Sequence, residues 1–98
     1  MDREHVIATL RQHEAELKAE GIVRLSLFGS VARNESTPQS DVDLMAEFDS
    51  RRDFSLLDRA RLENRLADML GAKVDLAPAR MLKDGIRERA VRKAVLAF

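Results

Sequence analysis

Residues 22–48 read IVRLSLFGSVARNESTPQSDVDLMAEF, two alternating apolar runs separated by a Gly-Ser step and a polar loop. In Ile22 to Phe28, Val23, Leu25 and Leu27 alternate with Arg24 and Ser26, the period of a strand with one apolar face. Gly29-Ser30 ends that run abruptly, Val31-Ala32-Arg33 has the length of a short helical turn, and NESTPQS is a loop. Alternation resumes at Asp41 and continues to Phe48. It places Val42, Leu44, Ala46 and Phe48 on one side of a second strand and Asp41, Asp43, Met45 and Glu47 on the other.

Working outward from this stretch, Val6, Ile7, Leu10 and Leu17 fall near helical spacing and Gly21 follows as a stop, which predicts a helix from His5 to Glu20. On the other side, Ser55 precedes LLDRARLENRLADML with Asp58 three residues on, a capping box, and Gly71 closes the segment. Lys73 to Ala77 reads as a short third strand, Val74 and Leu76 inward, Lys73 and Asp75 outward, stopped by Pro78. Met81 to Phe98 is expected to form a last helix, weakened by Gly85, with Ile86, Val91, Val95 and Phe98 as its apolar positions. The order helix, strand, strand, helix, strand, helix predicts an α+β domain. With 98 residues, 45% apolar and 35% charged, the chain is expected to be a single globular domain, residues 1–98.

Composition narrows the chemistry. Lys plus Arg and Asp plus Glu are both 17, so no overall positive charge favours a nucleic-acid backbone. Arg80, Lys83, Arg87, Arg89, Arg92 and Lys93 make the last predicted helix basic, but over more than one face, as a solvated surface would be. No apolar run approaches a bilayer's thickness, and MDREHVIATLRQHE lacks a signal-peptide core, so a cytoplasmic location without membrane contact is expected. There is no Cys. His5 and His13 lie eight residues apart, about 80° around a helix, which suits surface histidines better than joint ligation. A metal here is expected to be held by oxygen.

Asp41 and Asp43, two apart on a strand, project to the same side from Cα atoms about 7 Å apart. With no basic residue inside the motif they repel each other unless a cation is bound, and oxygen-only ligation with few protein ligands suits Mg²⁺. If Asp75 lies on a neighbouring strand, three carboxylates can hold two ions about 3.5–4 Å apart, as phosphoryl transfer requires. Its structural alternative is a surface pair with Lys73. Gly29 at a strand end lets a phosphate approach the backbone, the Ser30 hydroxyl adds a hydrogen bond, and Arg33 is placed to neutralise a β- or γ-phosphate. Alone, a DxD on a strand is usually a solvated edge and a Gly-Ser pair a turn. Their combination, ten residues apart, is specific.

GSVAR and SDVDL at this spacing, followed by a later VDL, resemble the DNA polymerase β-like nucleotidyltransferase superfamily, and most of all its shortest branch, the minimal nucleotidyltransferase (MNT) proteins. The resemblance covers residues 22 to 77 and implies a small mixed sheet with helices packed on one face. It also implies that Gly29 and Ser30 bind the triphosphate, that Asp41 and Asp43 hold the nucleotide-bound metal, and that Asp75 helps hold a second Mg²⁺ activating the acceptor hydroxyl. The implied activity is that of an antitoxin that transfers AMP from ATP to a Tyr hydroxyl of a HEPN ribonuclease toxin, its partner in a hetero-oligomer. A binding-only antitoxin and the catalytic subunit of a two-component enzyme acting on a small molecule remain open. Template-directed DNA synthesis is disfavoured, because one domain of this size leaves nothing to hold a duplex.

Overall fold

Asp2 opens the first helix: its carboxylate accepts from His5 N at 2.7 Å, and α1 runs Arg3–Gln12, starting earlier than the apolar spacing indicates. The computed structural model describes residues 2–33, 35, 37, 41–51, 54–79 and 94–98. The single helix expected from His5 to Glu20 is two helices, α1 and α2 (Glu14–Ala19). At His13 the backbone leaves helical geometry (φ −104°, ψ 14°), and its N–H reaches back only to Leu10 O, so the hydrogen-bond ladder tightens and restarts.

β1 (Ile22–Phe28) pairs antiparallel with β2 (Val42–Phe48), from Ile22 opposite Phe48 to Phe28 opposite Asp43. The strict alternation read in β1 is corrected at its start. A bulge between Ile22 and Arg24 leaves Val23 as an extra residue, and Val23 turns outward at 56% exposure although it is in phase with Leu25 and Leu27. Between the strands lies the short turn α3 (Gly29–Ala32).

The most local prediction is met closely. In α4 (Leu56–Leu70) Ser55 Oγ accepts from Asp58 N at 3.2 Å while Asp58 Oδ2 accepts from Ser55 N at 3.1 Å, and Gly71 ends the helix with φ 66°. β3 (Val74–Pro78) then lies parallel to β2, as a strand returning through a helix does. Pro78, expected to stop this strand, is instead its last residue, opposite Ala46; at an edge its missing N–H costs no ladder bond.

The end of the last predicted helix is also corrected. Val95–Leu96 form β4, antiparallel to β1, and the sheet order is β3-β2-β1-β4. The physical reason is the open side of β1: Leu25 N donates to Phe98 O at 3.2 Å and Leu25 O accepts from Ala97 N at 2.9 Å. Residues 80–93 lie outside the described residues, and with them Arg80, Lys83, Arg87, Arg89, Arg92, Lys93, Ile86 and Val91.

Val6, Leu10 and Leu17 of α1 and α2, and Leu62, Leu66 and Leu70 of α4, bury in one cluster with Leu25, Leu27, Val42, Leu44, Ala46 and Leu76 of the sheet. Each such large side chain contributes about 1.5–3 kcal/mol by leaving water. The helices therefore cover one face of a mixed sheet. Because side chains alternate along β2 and β3, burying Leu44 and Leu76 commits Asp43 and Asp75 to the opposite face. Among the described residues no helix is long and apolar enough to cross a membrane.

Candidate active site

The parallel register places Asp43 directly opposite Asp75 on strands about 4.8 Å apart. Asp41 lies one residue before β2, exposed, on the same side of the chain as Asp43. Partial burial, then the charge of Asp75, then that of Asp41 push the Asp43 carboxyl above the ordinary Asp range, and Arg33 only partly offsets them. The three acids predicted from sequence thus lie near one another on the sheet face opposite Leu44 and Leu76, and burial and repulsion at Asp43 together outweigh the offset from Arg33.

Gly29 touches this patch. Phe28 pairs with Asp43, so the chain leaving β1 must turn directly over that carboxylate. It does so with φ +74°, and a Cβ at Gly29 would collide with Asp43 Oδ2 and come within 3.2 Å of Cγ. Only glycine combines that backbone angle with that proximity. The turn is anchored by buried Val31 and Ala32, and by Arg3 Nη1, which donates to Ala32 O at 3.2 Å. Ser30 is half-buried beside Gly29, and its carbonyl accepts from Glu35 N at 2.8 Å. Arg33 is exposed and pairs with Glu35 at 3.1 Å, yet its charge still reaches Asp43. All six predicted site residues therefore gather at the β1–α3 turn and the adjoining ends of β2 and β3.

Two neighbours were not anticipated. Asp75 pairs not with Lys73 but with Arg59 of α4, Nη2 to Oδ1 at 3.3 Å. Glu63, one turn further along α4, accepts from Leu76 N at 2.8 Å and so covers an N–H on the outer edge of β3. The i,i+4 spacing of Arg59 and Glu63 reads in sequence as a helix-surface pair. That this pair reaches round the edge strand to Asp75 depends on where α4 docks.

The donor set fits Mg²⁺ in kind. It is all oxygen, and His5 is exposed while His13 lies 3.6 Å from Glu16. Among the described residues no three His, Cys, Asp or Glu side chains converge as a ready cage. Mg²⁺ tolerates this, since it binds through one or two carboxylates and fills its octahedron with water and phosphate oxygens. A cavity of about 240 Å³ lies elsewhere, lined by Glu20, Gly21, Phe48, Phe54, Asp58, Arg61 and Leu62. It sits at the Phe48 end of β2, about 16 Å from Asp43 along the strand. The acids, by contrast, lie beside the β1–α3 turn at the ends of β2 and β3, with Asp41 and Asp75 exposed and Asp43 half-buried.

The model of the family described as a nucleotidyltransferase domain matches residues 10–97 of this chain. A protein adenylyltransferase, MntA, of Thermococcus cleftensis is 36% identical over 93 residues, 94% of this chain and 92% of its own. The solved structure of a candidate minimal nucleotidyltransferase is 39% identical, with a TM-score of 0.82 over 97% of this chain and 95% of that one. The fold also matches, at 18% identity and a TM-score of 0.69, a chain of a solved complex between a tri-AMPylated HEPN toxin of Shewanella oneidensis and an MNT antitoxin. That match covers 93% of this chain and 70% of the other.

Proposed function

Since this chain belongs to the nucleotidyltransferase domain family, we propose that it is an antitoxin that transfers AMP from ATP to a Tyr hydroxyl of a HEPN toxin. The observation that carries the reading is the in-register pair Asp43 and Asp75, with Gly29 turned so closely over Asp43 that a side chain there would displace its carboxylate. The similarity to MntA, a protein adenylyltransferase, supports protein as the acceptor class, and the fold shared with a complex of an AMPylated HEPN toxin supports the kind of partner.

In this reading Asp41 and Asp43 would hold the nucleotide-side Mg²⁺ and Asp75 would help to hold an acceptor-side one. The chemistry such ions would supply is to offset the charge of the triphosphate and to make the acceptor hydroxyl easier to deprotonate. The chain's own groups do the rest. Gly29 leaves room for a phosphate to lie against the backbone, Ser30 donates a hydroxyl hydrogen bond to it, and Arg33 faces the departing pyrophosphate. The tyrosine hydroxyl loses its proton to solvent as its oxygen attacks the α-phosphorus, the bond from that phosphorus to the bridging oxygen breaks, and pyrophosphate leaves. Exposed carboxylates at Asp41 and Asp75 suit such a reaction, because the acceptor arrives on the surface of another protein.

The test is incubation with labelled ATP, Mg²⁺ and a purified HEPN-type toxin, read as a mass increment of one AMP per modified tyrosine. Asp41→Asn is expected to cut transfer at least on the order of a hundredfold, as loss of a key electrostatic group does in other enzymes. Absence of label in the wild type would sink the proposal. Neutralisation that survived Asp41→Asn would instead assign the chain to binding-only antitoxins.

A further inference from the structure

The Asp75 side chain is 59% exposed, and an exposed carboxylate on an edge strand has freedom to swing away from its neighbours. Three contacts restrain it. Arg59 Nη2 meets Asp75 Oδ1 at 3.3 Å, Arg59 Nε lies 3.9 Å from Glu63 Oε1, and Glu63 Oε2 accepts from Leu76 N at 2.8 Å. These contacts close a circuit, because Leu76 follows Asp75 in the chain. Arg59 Nε is buried and makes no hydrogen bond among the described residues, so the guanidinium stem is seated rather than waving in solvent.

The contact is also one-sided. A guanidinium that simply neutralised Asp75 would take both oxygens in a bidentate fork, whereas here only Oδ1 is engaged. We propose that Arg59 is a positioning residue for Asp75: seated against Glu63, it pins one carboxylate oxygen and leaves the other to ligate the acceptor-side cation. This rests on the metal-dependent reading of the site given above. Outer-shell partners of this kind orient ligating carboxylates, and their loss weakens metal binding about 10–100-fold.

The test is a Mn²⁺ titration of the full chain with a non-hydrolysable ATP analogue, following free Mn²⁺ by electron paramagnetic resonance. Wild type is expected to bind two ions per chain, a tighter and a weaker one. Arg59→Ala keeps the tighter ion, which doubles as evidence of folding, and weakens the other by about 10–100-fold. Arg59→Lys falls between them, since a single ammonium reaches Asp75 but cannot also lean on Glu63. In transfer assays Arg59→Ala lowers kcat at fixed Mg²⁺, leaves the KM for ATP unchanged, and recovers as Mg²⁺ is raised. Two ions with unchanged affinities in both variants overturn the positioning role while leaving the metal reading intact. A tighter second ion in Arg59→Ala also overturns it, making Arg59 a competitor of the cation. Fewer than two ions in wild type overturn both.

Discussion

Gly29 and Asp43 constrain each other, and the consequences can be measured at single residues. A methyl at Gly29 meets the free end of a flexible side chain, so Gly29→Ala displaces the Asp43 carboxylate and adds the cost of a left-handed backbone, about 1–2 kcal/mol. The variant is expected to fold, with a modestly lower melting temperature, and to lose transfer at least on the order of a hundredfold, as if an electrostatic group had been removed. A folded Gly29→Ala with wild-type activity would place the reacting phosphate elsewhere. Asp43 itself predicts a pH dependence. Burial and two neighbouring acids make its ionised form less favourable in the folded chain than in the unfolded one. The resulting penalty is full above the raised pKa, shrinks as pH falls, and is gone below about pH 4, where the unfolded Asp is also protonated. Metal-free Asp43→Asn should therefore melt above wild type at neutral pH, with the gap closing toward pH 3. Added Mg²⁺ should stabilise wild type and not the Asn variant, a pairing of calorimetric scans that tests charge repulsion and metal binding together.

At the level of elements, the bulge in β1 and the capping of α4 make opposite predictions about apolar and polar surface positions. Val23 looks like a core residue by its phase with Leu25, but the extra residue turns it outward. Val23→Thr is expected to change stability by less than about 0.5 kcal/mol, whereas Leu25→Ala costs about 2–5 kcal/mol. Equal costs in urea denaturation would mean that the bulge is absent in solution. Ser55, although exposed, satisfies Asp58 N at the start of α4 and receives its carboxylate in return. Ser55→Ala is expected to cost about 1 kcal/mol, or about 4–8 °C in melting temperature for a chain this size. Activity at low temperature should be unchanged, because the Ser55 hydroxyl bonds Asp58 and the Ala variant keeps the Ser55 carbonyl that accepts from Arg59 N.

For the molecule as a whole, the C-terminal strand is the clearest case of distant residues acting together. Ala97 is fully buried, its carbonyl accepts from Arg11 Nε of α1 at 2.7 Å, and its N–H donates to Leu25 O. Residues 95–98 thus join the first helix to the sheet edge. Removing them leaves a side-chain donor and the backbone groups of Leu25 without partners, at about 1–3 kcal/mol for each buried group. A chain ending at residue 94 should unfold at clearly lower urea. Because β1 is the strand that delivers Gly29, transfer should fall in parallel with the folded fraction rather than by loss of any reacting group.

What the chain encodes locally can be read from it directly. The capping box and Gly71 bound α4 closely, the alternation in residues 22–28 and 42–48 located β1 and β2, and GS with DVD marked the acids and the turn, because hydrogen bonds and periodicities of this kind span only a few residues. The rest depends on contacts between remote segments. The pairing of Asp43 with Asp75, the reach of Arg59 round the β3 edge, the outward turn of Val23 and the arrival of Val95–Leu96 as a strand separate residues by tens of positions or hinge on a one-residue register. A one-residue slip in β3 would carry Asp75 to the buried face. The types of group at the site were therefore encoded by local patterns, while the placing of Asp43 opposite Asp75 on the far face of the sheet followed from burying Leu44 and Leu76 in the core in a single register.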